Sequence, residues 1–432
     1  MGKWIKIILT GIIVSMFFFP FEFTFLPGVN TKMAMAGFGL LFIIFDYALK
    51  RELVIPKELF TLLLLSSIVS LVSFVAVAYN STPDYSYVSY VVSAAVWLSA
   101  AFVACLVINK VHGYIDVQLI LNYLIAICVF QCIIALMIEY IPAVQHFVDR
   151  WVVGGDFYHD IKRLYGIGAG LDVAGTRFSC VLVCIGYLLG KKNESLSLSS
   201  IILLFLAFSI ISVIGNMIAR TTIIGTVLGL ILLFFGLFDI YGRISKGHFK
   251  LLGTVGLVLL VVIPIIVFYY RTNAQFFNLM RFGFEGFFSL VETGEWHVSS
   301  TDMLENMVVW PDNLKTWIIG DGYFQSQRWD PNYIGNAPVY EKGYYMGTDI
   351  GYLRFLFYFG AIGLLSIVSV ICYSAYVCMQ KIKDYSLMFF VVLIAGLIMW
   401  WKAATDIFVF FSFFICQLLL VQNNAISDDS RI

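Results

Sequence analysis

Arg177 lies inside a long apolar stretch, LDVAGTRFSCVLVCIGYLLG. A charge within an apolar span costs several kcal/mol unless it faces a cavity or a partner, so such a residue points to function. Arg220, between two consecutive apolar segments, and Arg354, within two turns of the start of another, pose the same problem. Arg163, Arg271 and Arg281 fall just outside the same surface. A guanidinium fork pairs two phosphate oxygens at once, so several arginines near one face suit a pyrophosphate or another acidic ligand. The competing reading is that each arginine snorkels to a headgroup or pairs with a nearby acid.

A second group of residues suits sugar. Trp296, Trp310, Tyr323 and Trp329 crowd one polar segment that also holds Trp317. Aromatic faces stack on the C–H faces of sugars while Asp, Asn and Glu bond hydroxyls, so the mix fits a glycan. An interfacial aromatic belt with a small core of its own fits equally well. The acids there are Glu285, Glu292, Glu295, Asp302, Glu305, Asp312, Asp321, Asp330 and Glu341. Any could serve as a general base, and residue type selects none. His297 is the only histidine of that segment, and a lone histidine more often packs or faces solvent.

No zinc-protease helix, nucleophile elbow or phosphate-cradling glycine loop occurs, and the outer loops lack an Asp-x-Asp pair for a metal-bound nucleotide sugar. Cys128/Cys132 and Cys180/Cys184 are spaced i,i+4, too few ligands for a metal, and read as packing residues. The expectation is therefore no metal, no cofactor and no disulfide framework.

The elements that must position these residues are membrane helices. Of 432 residues, 61% are hydrophobic and 12% charged, against about 25% charged in soluble domains. That excludes an ordinary soluble enzyme and a disordered regulator. The 27 bases balance 27 acids, so no basic field attracts nucleic acid. A crossing helix needs about 20 mostly apolar residues. Stretches near 5–25, 33–49, 58–78, 88–108, 119–141, 171–190, 199–219, 221–241, 251–270, 349–379, 386–401 and 405–421 qualify.

The expected fold is all-α, a polytopic membrane protein of about twelve transmembrane helices with one large, partly helical extracytoplasmic loop. Lys and Arg concentrate in alternate loops, while the segment 79–87 (YNSTPDYSY) has neither. Positive residues stay in the cytoplasm, so both termini are expected there, and the N-terminal apolar run is expected to stay as an uncleaved first helix.

The organisation expected is residues 1–270 with nine spans and an outer loop at 142–170, a large outer loop at 271–348, and residues 349–432 with three more spans and a tail. Within the large loop, Phe277, Met280, Phe284 and Phe288 predict one interfacial helix over 274–291. Ser299-Ser300-Thr301-Asp302 predicts an N-capped helix ended by Pro311, and Gly320-Asp321-Gly322 predicts a turn. Gly225-x-x-x-Gly229 permits close helix packing within or between chains.

Three segments in this layout resemble the bacterial O-antigen polymerase (Wzy) and O-antigen ligase superfamily. Asp349-Ile350-Gly351-Tyr352-Leu353-Arg354, continuing to Gly360 and Gly363, is similar to the family's polar residue, Tyr-Leu and Gly-x-x-Gly entering a span. Arg163-Leu164-Tyr165-Gly166 is similar to its Arg-x-x-Gly, and Ala219-Arg220-Thr221 to its Ser/Ala-Arg-Thr/Gly element.

The resemblance implies a membrane glycosyltransferase that joins undecaprenyl-pyrophosphate-linked repeat units at the outer face of a bacterial inner membrane. A chain-length regulator protein is implied as a partner. Asp349 would then take a proton from the attacking hydroxyl, with Arg163, Arg177, Arg220 and Arg354 at the pyrophosphate. Ligases carry histidine where Asp349 stands, which favours polymerase. Asp349 has two structural alternatives, holding Arg354 or capping the tenth span. The competing functions are a ligase and a flippase or transporter of lipid-linked sugars.

Overall fold

The computed structural model describes residues 2–50, 56–160, 163–191, 196–236, 246–325 and 344–429. Among them the regular structure is helical, with isolated β-bridges and no strand. The first five helices are α1 (Lys3–Phe18), α2 (Thr31–Lys50), α3 (Lys57–Asn80), α4 (Tyr90–His112) and α5 (Val117–Tyr140). Two short helices follow, α6 (Pro142–Trp151) and α7 (Gly155–Asp160). Next come α8 (Leu171–Lys191), α9 (Leu198–Ile218), α10 (Thr222–Gly236) and α11 (Lys246–Thr272). The large loop holds α12 (Ala274–Gly283), α13 (Glu285–Thr293), α14 (Ser299–Glu305) and α15 (Leu314–Ile318). The chain closes with α16 (Gly351–Lys381), α17 (Ser386–Met399) and α18 (Phe408–Asp429).

Every apolar stretch singled out in the sequence carries a helix. Six of these, α3, α4, α5, α8, α9 and α16, are long and apolar enough to cross a bilayer. A seventh is added if the pair Gly256–Thr272 and Ala274–Gly283, bent by 115°, counts as one span. This is the helix content of a multi-pass membrane protein.

The chain forms two compact units. The first comprises Met1–Lys32, Val107–His297 and Phe390–Ala395. Its centre is α8 against α10, brought together by glycine. A Cβ on Gly225 would lie 2.1 Å from Ser179 Cα, and one on Gly186 would lie 2.2 Å from the Gly229 carbonyl oxygen. The Gly225-x-x-x-Gly229 pattern is thus spent inside the chain, on close backbone approach. Ser179 fastens the seam, its Oγ accepting from the Gly225 N–H at 3.1 Å and donating to the Thr221 carbonyl at 3.2 Å.

Two expectations for the large loop need correction. The helix expected over 274–291 is two helices, because Phe284 leaves helical geometry (φ −121°, ψ 29°) between α12 and α13. Gly283 meets the α9 backbone there, where a Cβ would lie 3.1 Å from the Asn216 carbonyl carbon. Arg281 and Glu292 clasp the two arms of the elbow in a bidentate pair. The helix expected before Pro311 ends at Glu305, and Asp302 sits in its first turn with Val298 at the N-cap. An acid in the first turn faces the positive helix end.

The second unit comprises Met33–Leu106, Val298–Phe389 and Gly396–Ile432. Its main helix, α16, is broken: Phe359 (φ −138°, ψ 19°) and Gly360 (φ 68°, ψ −172°) are non-helical. The break frees carbonyls that a continuous helix would use, and the loop takes them. Asp321 N–H donates to Phe357 O at 2.6 Å and Gly322 N–H to Tyr358 O at 3.0 Å. The expected turn at Gly320-Asp321-Gly322 is therefore the cap of a broken helix, and both its glycines have positive φ. Tyr323, Tyr345, Ile350, Leu353, Leu356 and Phe357 form the core beneath it.

Candidate functional site

In the first unit, the α9–α10 turn presents Arg220. Thr221 Oγ1 donates to Asp172 at 3.0 Å and ties that turn to the start of α8. The Arg220 guanidinium lies 4.0 Å over the Phe282 ring, its Nε donates to the Phe282 carbonyl at 3.0 Å, and its Nη1 pairs with Glu285 at 2.8 Å. Arg163 approaches the same ring at 5.1 Å. Burial pulls the Arg220 pKa down, Glu285 opposes that, and the Arg163 charge adds to it. An arginine so placed stays charged at neutral pH and gains from an added anion.

The structure thus brings two expected arginines, Arg163 and Arg220, to one aromatic ring. Arg177 is elsewhere in the unit, only 5% exposed, with Phe18 and Phe19 at 6.0 and 5.4 Å. The Arg163-Leu164-Tyr165-Gly166 segment folds back through Gly168 (φ 68°), where a Cβ would lie 2.5 Å from the Phe19 carbonyl oxygen. Tyr165 donates to Asp149 at 2.8 Å and stacks on Tyr158. Arg281 is committed to Glu292, and Arg271 is exposed at the end of α11.

In the second unit, Arg354 is buried between Phe324 at 3.9 Å and Tyr344 at 4.7 Å. Asp349 meets its Nη1 at 3.5 Å, a loose pair, and Nη2 reaches the Phe324 carbonyl at 3.4 Å. The Arg354 Nε is buried without a hydrogen-bond acceptor among the described residues. Of the two structural roles open to Asp349, the contact is with Arg354. The N-cap of α16 is Ile350, with no side-chain cap bond.

Asp84 supplies the scaffold for this group, and sequence reasoning passed over it. One of its oxygens accepts from the Phe324 and Gln325 N–H groups at 2.8 and 3.0 Å, and the other from the Ser86 N–H and hydroxyl. Thr82 donates to the Gly322 carbonyl at 2.8 Å and Asn80 to the Gly320 carbonyl at 3.1 Å. Lys315 joins Asn80 and Asp321, each at 2.7 Å. The signal was present in YNSTPDYSY: one acid in a loop without Lys or Arg must find backbone donors when buried.

The expected sugar platforms separate. Trp310 and Trp317 stack in parallel at 5.8 Å and are both exposed. Trp296 is exposed and edge-on to Phe287. Tyr323 is 3% exposed and stacked on Tyr345, so its ring is core. Trp329 lies outside the described residues. Among the described residues no three His, Cys, Asp or Glu side chains are grouped as metal ligands. Comparison with protein-family models, curated proteins and solved structures finds no match to this chain.

Proposed function

We propose that the protein is a polymerase of lipid-linked sugar repeats, a membrane glycosyltransferase of the O-antigen polymerase kind that uses undecaprenyl-pyrophosphate-linked units. The observation that carries this reading is the convergence of Arg163 and Arg220 on Phe282, in segments separated by the whole of α8 and α9. Two guanidiniums beside one ring suit the charge that develops on a departing pyrophosphate. Within the first unit Arg177 is proposed as a further phosphate contact. Within the second, Asp349 is the proposed base, taking the proton of the attacking hydroxyl, and Arg354 a proposed phosphate contact. The exposed Trp310 and Trp296 are proposed glycan platforms.

The proposal includes twelve spans, both termini in the cytoplasm, and the large loop in the periplasm of a bacterial inner membrane. Within the first unit this sidedness is supported by loops that the charge alternation assigns to one side. Thr24 N–H donates to the Trp151 carbonyl at 3.1 Å, joining the α1–α2 loop to the end of α6.

A second reading is a transporter of lipid-linked sugars, favoured by the break in α16 and the bend after α11, since broken helices line transporter sites. One experiment separates them: deletion of the gene, with lipopolysaccharide run beside the complemented strain. Collapse of the ladder to core plus one repeat unit is the polymerase outcome. Loss of every O-antigen band points to transport or ligation, and an unchanged ladder removes this substrate. Asp349→Asn is expected to cut polymerisation by about 100-fold or more, the usual reach of a general base, and retained turnover would count against that role.

A further inference from the structure

Among the described residues three contacts hold Arg220, and they are unequal. The carbonyl and the ring face of Phe282 both belong to the end of α12, and the carbonyl cannot leave without moving backbone. The third hold, Glu285, is a side chain at the first position of α13. Its side chain is 29% exposed against 16% for Arg220, so the carboxylate is the partner that can swing into water. An acid at a helix start keeps a favourable dipole contact even after it lets go of Arg220.

A carboxylate and a phosphate present similar oxygens to a guanidinium. Glu285 therefore occupies the position that a phosphate oxygen would take on Arg220. An incoming group with one negative charge exchanges like for like and gains little. A diphosphate gains more, because its additional charge also meets Arg163 beside the same ring.

We propose that Glu285 is a built-in competitor at this arginine pair, displaced by a lipid diphosphate but not by the singly charged phosphodiester headgroups of the surrounding bilayer. This rests on reading Arg163 and Arg220 as a pyrophosphate site. At a membrane surface it has a use, since phosphodiester headgroups vastly outnumber any diphosphate carrier and would otherwise fill the pair.

The test is equilibrium binding of farnesyl diphosphate to the purified full chain in detergent, with phosphatidylglycerol as competitor. Wild type should bind the diphosphate with little effect of phosphatidylglycerol. Glu285→Gln should bind it about two- to fivefold tighter, the scale of a solvent-accessible ion pair, and phosphatidylglycerol should now compete. Glu285→Asp keeps the charge and the helix start but retracts the carboxylate, and should move both readouts the same way by less. It serves if Glu285→Gln fails to fold.

If both variants bind like wild type and stay insensitive to phosphatidylglycerol while Arg220→Ala loses binding, the competitor role is overturned and the pyrophosphate site stands. If Arg220→Ala binds like wild type, the site reading fails and Glu285 falls with it.

Discussion

Asp84 shows how much one buried carboxylate organises. Its oxygens accept three backbone N–H groups and a serine hydroxyl, and it is 3% exposed. Alanine there would leave the Phe324 N–H buried without an acceptor, while water can reach the donors of the exposed Ser86 and Gln325. Asp84→Ala is expected to lower stability by about 1–3 kcal/mol, read as a fall in the unfolding midpoint in detergent. Phe324 should then lose its place over Arg354, since its N–H is one of the released donors and its ring is 3.9 Å from that guanidinium. A midpoint within the error of wild type would mean that water replaces the carboxylate and that the loop is not held through Asp84. At this scale the sequence was only partly legible. The cost of Arg177 in an apolar stretch is visible in one line of text, whereas the value of Asp84 depends on N–H groups about 240 residues away.

At the scale of elements, two joints decide where side chains go. In α16, Gly360 occupies φ 68°, ψ −172°, a region other residues essentially avoid at about 1–3 kcal/mol. A Cβ would also lie 2.1 Å from the Ile318 carbonyl oxygen. Gly360→Ala is expected to destabilise the second unit by about 3 kcal/mol or more and to raise amide exchange at Asp321 and Gly322, whose N–H groups lose the freed carbonyls. Unchanged exchange there would mean that the turn does not depend on the break.

The elbow of α12 and α13 offers a pH test. The Arg281 guanidinium bonded to Glu292 holds that carboxyl below its ordinary 4.5. A depressed acid confers stability above its unfolded value, and that stability is lost as pH falls through the folded one. The wild-type midpoint should therefore drop more than that of Glu292→Gln between about pH 5 and 3. The pair is solvent-exposed, so the difference should shrink in high salt. Parallel acid profiles would show the clasp to be idle.

Helix positions were readable from apolar length, because the bilayer demands it. The joints were not: Phe284 continues a helical apolar pattern, and the turn falls where Gly283 packs against Asn216 of α9, a contact no local pattern announces.

For the whole molecule, the proposed sidedness is the claim on which a periplasmic reaction depends. Within the second unit, α3 has contacts at both ends. Glu58 pairs with Lys381 at 2.8 Å, and Asn80 reaches the Gly320 carbonyl at 3.1 Å. The 24 residues of α3 span about 36 Å at 1.5 Å per residue, enough to separate these groups by a bilayer core. The charge alternation puts Lys57 and Lys383 in the cytoplasm, and Tyr85 and Thr301 outside. All four are exposed, while seven of the eight native cysteines are buried and Cys372 is intermediate, so a single added cysteine can be read against a low background. Tyr85→Cys and Thr301→Cys should react with a membrane-impermeant maleimide in cells whose outer membrane has been made permeable, and Lys57→Cys and Lys383→Cys only after lysis. Labelling of positions 57 and 85 from the same side would mean that α3 does not cross. Reversal of all four would put the large loop in the cytoplasm. Arg220 shares that loop's side through its pair with Glu285, so a reversal would also remove it from the face where the proposed polymerisation takes place.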